Sequence, residues 1–287
     1  PYWLSYAEMI RIAGGVPVVV PCREDNDFKM TPAEFEQSIT PRTKAMVINS
    51  PSNPVGNVYS GSELRALAEI AVRHGIYIVS DEVYEKMVYE GVTHVSVGSL
   101  SKPILDQTIT VNGFSKAYAM TGWRLGYFAA PAGVAKAVNA FQSHSTSGPN
   151  TFAQFGALEA LRGPQDCVKE MVRAFAERQA YICKRMKAMP GVTCVEPLGA
   201  FYVLPNISHF GMDSVTFAER TRYTDKDVSY AAMPLFHSNS TFLALIPAIA
   251  QGGKISTRRK FSASGFLPDV RKFGVTFFNY VGKPLAY

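Results

Sequence analysis

Residues 44–81 run KAMVINSPSNPVGNVYSGSELRALAEIAVRHGIYIVSD, and this stretch decides the fold. Lys44 to Asn49 is an apolar run of strand length, too short for a helix. Ser60-Gly61-Ser62-Glu63 is a capping box: the serine accepts from an amide three residues on, and the glutamate there returns the bond. The helix it opens carries Leu64, Leu67, Ala68 and Ala71 on one face and stops at Gly75. Ile76 to Val79 is a second apolar strand, ending at Ser80-Asp81. A strand, a helix and a strand joined by short linkers call for a mostly parallel sheet with the helix packed on its face.

The pattern continues outward on both sides. Gly15-Val16-Pro17-Val18-Val19-Val20 reads as a short buried strand. Thr31-Pro32-Ala33-Glu34 is another capping box, with proline at the first helical position. Thr108 to Val111 is a strand ending at Asn112-Gly113, and Trp123 to Ala129 a further one. Residues 131–143, 151–162 and 165–188 read as helices, the last long enough to bridge domains. The expected architecture is α/β: a large domain with a mostly parallel sheet and helices on both faces, followed by a smaller α+β part. Ligands of open parallel sheets bind beyond the carboxyl ends of the strands. Asn53, Asp81 and Lys116 all follow such ends, so the fold should gather them on one edge.

Composition narrows the class. The 287 residues are 47% hydrophobic and 18% charged, ordinary for a soluble globular protein. No apolar run approaches the ~18 residues of a membrane span, and the start is no signal peptide. It also lacks an initiator methionine, so the chain is expected to be a piece of a longer protein. Cys22, Cys167, Cys183 and Cys194 have no metal-ligand spacing, which points to reduced thiols and no metal. The net charge of +6 is carried by the tail: residues 1–220 hold 20 basic and 20 acidic side chains, residues 221–287 hold 9 and 3. A nucleic-acid-binding face on the folded body is therefore not indicated.

Four motifs carry chemistry, and each is also readable as plain structure. Lys116 follows a buried strand between apolar residues, where an unpaired ammonium is costly to bury. A Schiff base would consume that amine. Ser115 and Arg124 can both face a phosphate, the arginine as a bidentate fork. Asp81-Glu82-Val83-Tyr84 places a carboxylate and a phenol at a strand end; Glu82 and Glu85 read as ordinary surface acids. Asn49-Ser50-Pro51-Ser52-Asn53-Pro54 is by local chemistry a turn. Pro1-Tyr2-Trp3-Leu4-Ser5-Tyr6 is an aromatic cluster that core packing alone could explain.

Gly113-Phe114-Ser115-Lys116, Ala119-Met120 and Gly122-Trp123-Arg124-Leu125-Gly126 together resemble the lysine signature of the class I/II aminotransferases. These are pyridoxal 5′-phosphate (PLP) enzymes of fold type I, the aspartate aminotransferase family. The Pro1 to Tyr6 stretch is similar to the bacterial and plastid aspartate and glutamate/aspartate–prephenate branch. The resemblance implies that Lys116 forms the internal aldimine and shuttles the substrate proton, and that Arg124 and Ser115 bind the cofactor phosphate. It implies that Asp81 holds the pyridine nitrogen protonated, that Tyr84 bonds the ring oxygen, and that Trp3 stacks on the ring. Asn53 would contact both the ring oxygen and the substrate carboxylate. Amino-acid and 2-oxo-acid substrates, a homodimer, and a cytoplasmic or plastid-stromal location are implied too; a nucleic-acid or membrane partner is not.

The resemblance is read over residues 1 to about 220. Residues 1–188 are expected to form the large PLP-binding domain, 189–220 the start of the small domain, with Gly199 to Tyr202 as a strand, and 221–287 a divergent basic tail of doubtful order. Arg258 and Arg259 lack the pattern of the family's carboxylate-binding arginine, so this chain by itself is expected to be inactive or a poor catalyst. Alternatives are a C–S β-lyase or an aminocyclopropane-carboxylate-synthase-like enzyme of the same fold, a PLP-sensing regulator domain, and an inactive fragment that folds poorly.

Overall fold

A computed structural model of the chain describes residues 1–220, 226, 228–231, 254–257 and 263–278. Two compact units emerge, Pro1–Asn206 and Ile207–Tyr287. Residues 189–206 thus pack with the first unit.

In the first unit, helices α1 (Ser5–Ile12) and α2 (Pro32–Ser38) precede strand β1 (Ala45–Asn49). Next come α3 (Gly61–Arg73), β2 (Tyr77–Asp81), α4 (Lys102–Leu105) and β3 (Thr108–Gly113). The chain continues through α5 (Phe114–Ala117), β4 (Gly126–Ala129), α6 (Ala132–Ser145), α7 (Thr151–Arg162) and α8 (Asp166–Lys187). A two-stranded pair, β5 (Thr193–Cys194) and β6 (Pro205–Asn206), closes it.

Both capping boxes form. Thr31 and Ser60 accept from the Glu34 and Glu63 amides, and each glutamate bonds back to its cap. The apolar face of α3 is buried as its spacing demands: Leu64, Leu67, Ala68 and Ala71 pack with Met46, Ile48, Ile76, Ile78 and Ile104 in the main core. Burying each leucine contributes about 1.5–3 kcal/mol.

The sheet runs β1-β2-β3-β4. The first three strands are parallel, with Asn49 beside Asp81 and Asp81 beside Val111. β4 is antiparallel to β3, Gly113 opposite Gly126. Because β4 is reversed, its first residues lie at the same edge as the last residues of the other three. That edge receives Asn53 from the loop after β1, Asp81 from β2, Lys116 from α5 and Arg124 from the turn before β4.

Three expectations need correction. Residues 15–20 form no strand, and Val16, Val18 and Val19 are exposed. A strand needs a hydrogen-bonding neighbour, which β-rich composition cannot supply. The strand expected from Trp123 begins only at Gly126, since Thr121–Trp123 is a 3-10 turn and Arg124 is left-handed with φ 52°. Gly199 to Tyr202 is a turn rather than a strand, because Ala200 is left-handed with φ 56°.

In the second unit, helix α9 (Ser214–Arg220) is followed by β7 (Val228–Ala231), β8 (Lys254–Thr257), α10 (Ala263–Phe273) and β9 (Phe277–Phe278). The strands form a parallel sheet in the order β8-β7-β9. The rest of the tail, with Arg258 and Arg259, lies outside the described residues, and so does most of the expectation of doubtful order. Among the described residues no helix is long and apolar enough to cross a membrane.

Candidate active site

Lys116 is the centre. It sits on the single turn of α5, after β3 has ended at Gly113. Its Nζ lies 5.6 Å from the centre of the Tyr84 ring and 5.2 Å from that of Phe201. Burial holds its pKa below the ordinary lysine range; the nearby Arg124 charge pushes the same way, and Asp81 pulls partly back. The amine therefore feels both Arg124 and Asp81, and it reaches its neutral, nucleophilic form at lower pH than a surface lysine.

Asp81 is half-buried, with both oxygens engaged. Oδ2 accepts from the Tyr6 hydroxyl at 2.5 Å and Oδ1 from the Val83 amide at 3.2 Å. Burial, followed by the Asp81 charge, pushes the Tyr6 phenol far above its usual value, so Tyr6 stays a neutral donor. Trp3 packs edge-on against Tyr6, their rings 5.3 Å apart. Trp3 itself is 43% exposed and stands one ring away from Asp81.

The Tyr84 phenol is buried and held protonated by burial and by its bond to Tyr202. The two hydroxyls are 2.6 Å apart, and Asn53 Nδ2 donates to the same Tyr202 oxygen at 3.3 Å. Asn53 is held in turn by its own amide, which donates to Asn49 Oδ1 at 2.7 Å.

Tyr202 arrives through a close backbone approach. The Leu198 and Gly199 amides both donate to the Gly56 carbonyl, at 2.8 and 2.9 Å, and the Ala200 amide donates to the Met87 carbonyl at 2.8 Å. Gly56 makes this possible. It has φ 78°, and a Cβ there would come within 2.6 Å of Pro197 Cβ.

Arg124 is exposed, its guanidinium donating to the Thr121 carbonyl at 2.9 Å. Ser115 precedes Lys116 on α5 and is half-buried. Lys116 thus feels both Arg124 and Asp81 and lies beside the Tyr84 ring, Asn53 joins Tyr84 through Tyr202, and Trp3 meets Asp81 through Tyr6.

Sequence reasoning missed Tyr6, Phe201 and Tyr202 as members of the site, and it misread Glu82. Glu82 is no surface acid: it is 1% exposed. Its Oε1 accepts from Ser80 Oγ (2.8 Å), Ser96 Oγ (3.0 Å) and the Val97 amide (3.1 Å), and its Oε2 lies 3.1 Å from His94 Nε2. Burial alone would raise its pKa, but these bonds outweigh it and hold the group below its ordinary 4.5, as a carboxylate. Strand alternation carried one residue past Asp81 would have found it, since Ile78 and Ser80 share its buried face. Glu82, Glu85 and His94 bring ligand-type atoms within 4.8 Å of one another, although both Glu82 oxygens already accept from protein donors.

Sheet and site together define a class: an α/β protein with a part-buried lysine amine at the carboxyl edge of a mostly parallel sheet, beside a carboxylate, two phenols and a guanidinium. The chain belongs to the class I and II aminotransferase family, whose profile it matches over residues 1–233. It is 52% identical over 206 residues to the aspartate aminotransferase of Geobacillus stearothermophilus, covering 72% of this chain and 52% of that protein. The aspartate aminotransferase of Bacillus sp. (strain YM-2) is 42% identical over 264 residues, covering 92% and 64%. The solved aspartate aminotransferase of Thermus thermophilus with maleate has a TM-score of 0.72 at 46% identity, covering 77% and 57%. This chain therefore has the fold type I architecture, and it spans about half to two thirds of the length of these proteins. A match of 264 residues also carries the likeness well past residue 220, where the sequence reading had ended it.

Proposed function

We propose that the protein containing this chain is an aminotransferase that moves an amino group between an amino acid, aspartate or glutamate, and a 2-oxo acid, with PLP held on Lys116. The observation that carries the reading is the Lys116 amine, set between two aromatic rings and under the opposing influence of Arg124 and Asp81. Prephenate is a further acceptor that the sequence resemblance implies.

The residues present fit the cofactor. Tyr84 and Asn53 both reach one phenolic oxygen, that of Tyr202, so the pair is spaced for an oxygen of that kind, which the pyridoxal ring also offers. Asp81 is a carboxylate suited to a protonated ring nitrogen, and Arg124 with Ser115 suits a phosphate. When bound, PLP supplies an electron sink for the bonds broken at the substrate α-carbon.

The chain's own groups do the rest. Asp81 would hold a proton on the ring nitrogen, with Tyr6 keeping that carboxylate oriented. The Lys116 amine, neutral at lower pH than usual, would take a proton from the substrate α-carbon and return one. Tyr84 and Asn53 would donate to the ring oxygen, Trp3 would cover the ring, and Asn53 would also meet the substrate carboxylate. The reading carries with it a homodimer and a cytoplasmic setting, or the plastid stroma for a plant or algal source.

The test is borohydride reduction of the intact protein mixed with PLP, followed by peptide mass mapping. The expected adduct is on Lys116, and its rate of formation should climb at a pH below the range of ordinary lysines. An adduct on another lysine rejects the assignment.

A further inference from the structure

Glu82 has no part in the chemistry just described, yet it is a buried carboxylate with four protein partners. The Glu82 amide donates to the Val111 carbonyl at 2.9 Å, the bond that closes the β2–β3 ladder at the Asp81–Val111 pair, so Glu82 follows directly on the paired strand. Side chains in such a ladder alternate between faces. Ser80 and Glu82 are pinned on one face by the bond between them and by the ties of Glu82 to His94, Ser96 and Val97. Asp81, between them, is left to project from the other face, where Tyr6 meets it. The Glu85 amide donates to the Glu82 carbonyl at 2.8 Å, and the Met87 amide to the Tyr84 carbonyl at 2.7 Å. The turn that swings Tyr84 into the site is therefore hung from Glu82 as well.

We infer that Glu82 is a positioning residue for the cofactor site: its carboxylate ties the end of β2 to the 94–97 segment and so fixes the directions of Asp81 and Tyr84. The inference rests on the functional reading above. What matters is acceptor geometry rather than charge. Three of the four bonds fall on one oxygen, and a glutamine keeps that oxygen. Removal of outer hydrogen-bond partners of this sort weakens the site they support by roughly tenfold or more.

The experiment compares the intact wild-type protein with Glu82→Ala, Glu82→Gln and Ser96→Ala. For each it measures PLP affinity, the pH midpoint of the visible absorption band of PLP on Lys116, and thermal melting. Glu82→Ala is expected to bind PLP roughly tenfold more weakly and to shift the band midpoint, because Asp81 and Tyr84 lose their fixed aim. Glu82→Gln should restore both. Ser96→Ala, which removes one donor, should move both readouts in the same direction by less, and it serves if Glu82→Ala does not fold. A lower melting point with affinity and midpoint unchanged, in Glu82→Ala or in Ser96→Ala, overturns the proposal and leaves the functional reading intact. An intact wild-type protein, in which all the variants are made, that takes no PLP on Lys116 overturns both.

Discussion

At Asp81 both carboxylate oxygens already have donors, a phenol on one and a backbone amide on the other. A carboxylate so held can face a cationic ring nitrogen without turning. Replacing it by alanine should therefore damage chemistry more than cofactor retention, because Lys116 and the groups proposed to face the phosphate, Arg124 and Ser115, remain. On the proposed function, we expect Asp81→Ala in the intact protein to lower transamination by about two orders of magnitude, corresponding to ~3 kcal/mol for one preorganised electrostatic contact, with a much smaller change in PLP affinity. Turnover near wild-type would rule Asp81 out of this role. Lys116 and Arg124 were legible in the sequence because they sit in one contiguous motif eight residues apart. Tyr6 and Tyr202 were not, since their partners lie 75 and 149 residues away and no local pattern encodes such a meeting. Glu82 was misread because an acidic residue beside a turn resembles a surface group until the strand alternation is followed past the strand's end.

Among the elements, α3 and its two flanking strands were readable almost to the residue. Their signals are local: a capping box, an apolar stripe and a terminating glycine. Elements that depend on a distant partner were not. The valines at 16–20 have the composition of a strand but no ladder, and the Gly199–Tyr202 segment owes its shape to the left-handed Ala200 and the contact with Gly56. That contact is open to a direct test. Gly56→Ala would add a methyl 2.6 Å from Pro197 Cβ and 2.7 Å from the Gly199 carbonyl, at a φ of 78°. The neighbouring atoms are backbone and ring, which cannot swing aside. We expect a loss of about 1–3 kcal/mol in urea unfolding, typical of overpacking, with the Tyr202–Tyr84 contact disturbed in turn. A stability equal to that of wild type would mean that the 197–202 segment moves away freely.

At the scale of the whole molecule, α6 and α7 carry large apolar side chains into solvent: Phe141 is 75% exposed, and Phe152 and Phe155 are each 70%. The chain spans about half to two thirds of the length of its relatives, so the proposed homodimer rests on the family membership, and sedimentation of the intact protein should give twice the monomer mass. An active species that sediments as a monomer would reject it. The sheet itself has one further consequence, in the entropy of assembling the site. The hairpin of β3 and β4 brings Lys116 and Arg124 together within a short stretch of chain, at little loop-closure cost. The Tyr6–Asp81 bond closes a loop of 75 residues and the Asn53–Tyr202 bond one of 149. Each doubling of loop length costs only ~0.6 kcal/mol more, so the second closure is scarcely dearer than the first. The amine and the guanidinium thus form a local unit that needs few distant contacts, while the groups around the ring nitrogen and the ring oxygen are gathered only by the completed fold.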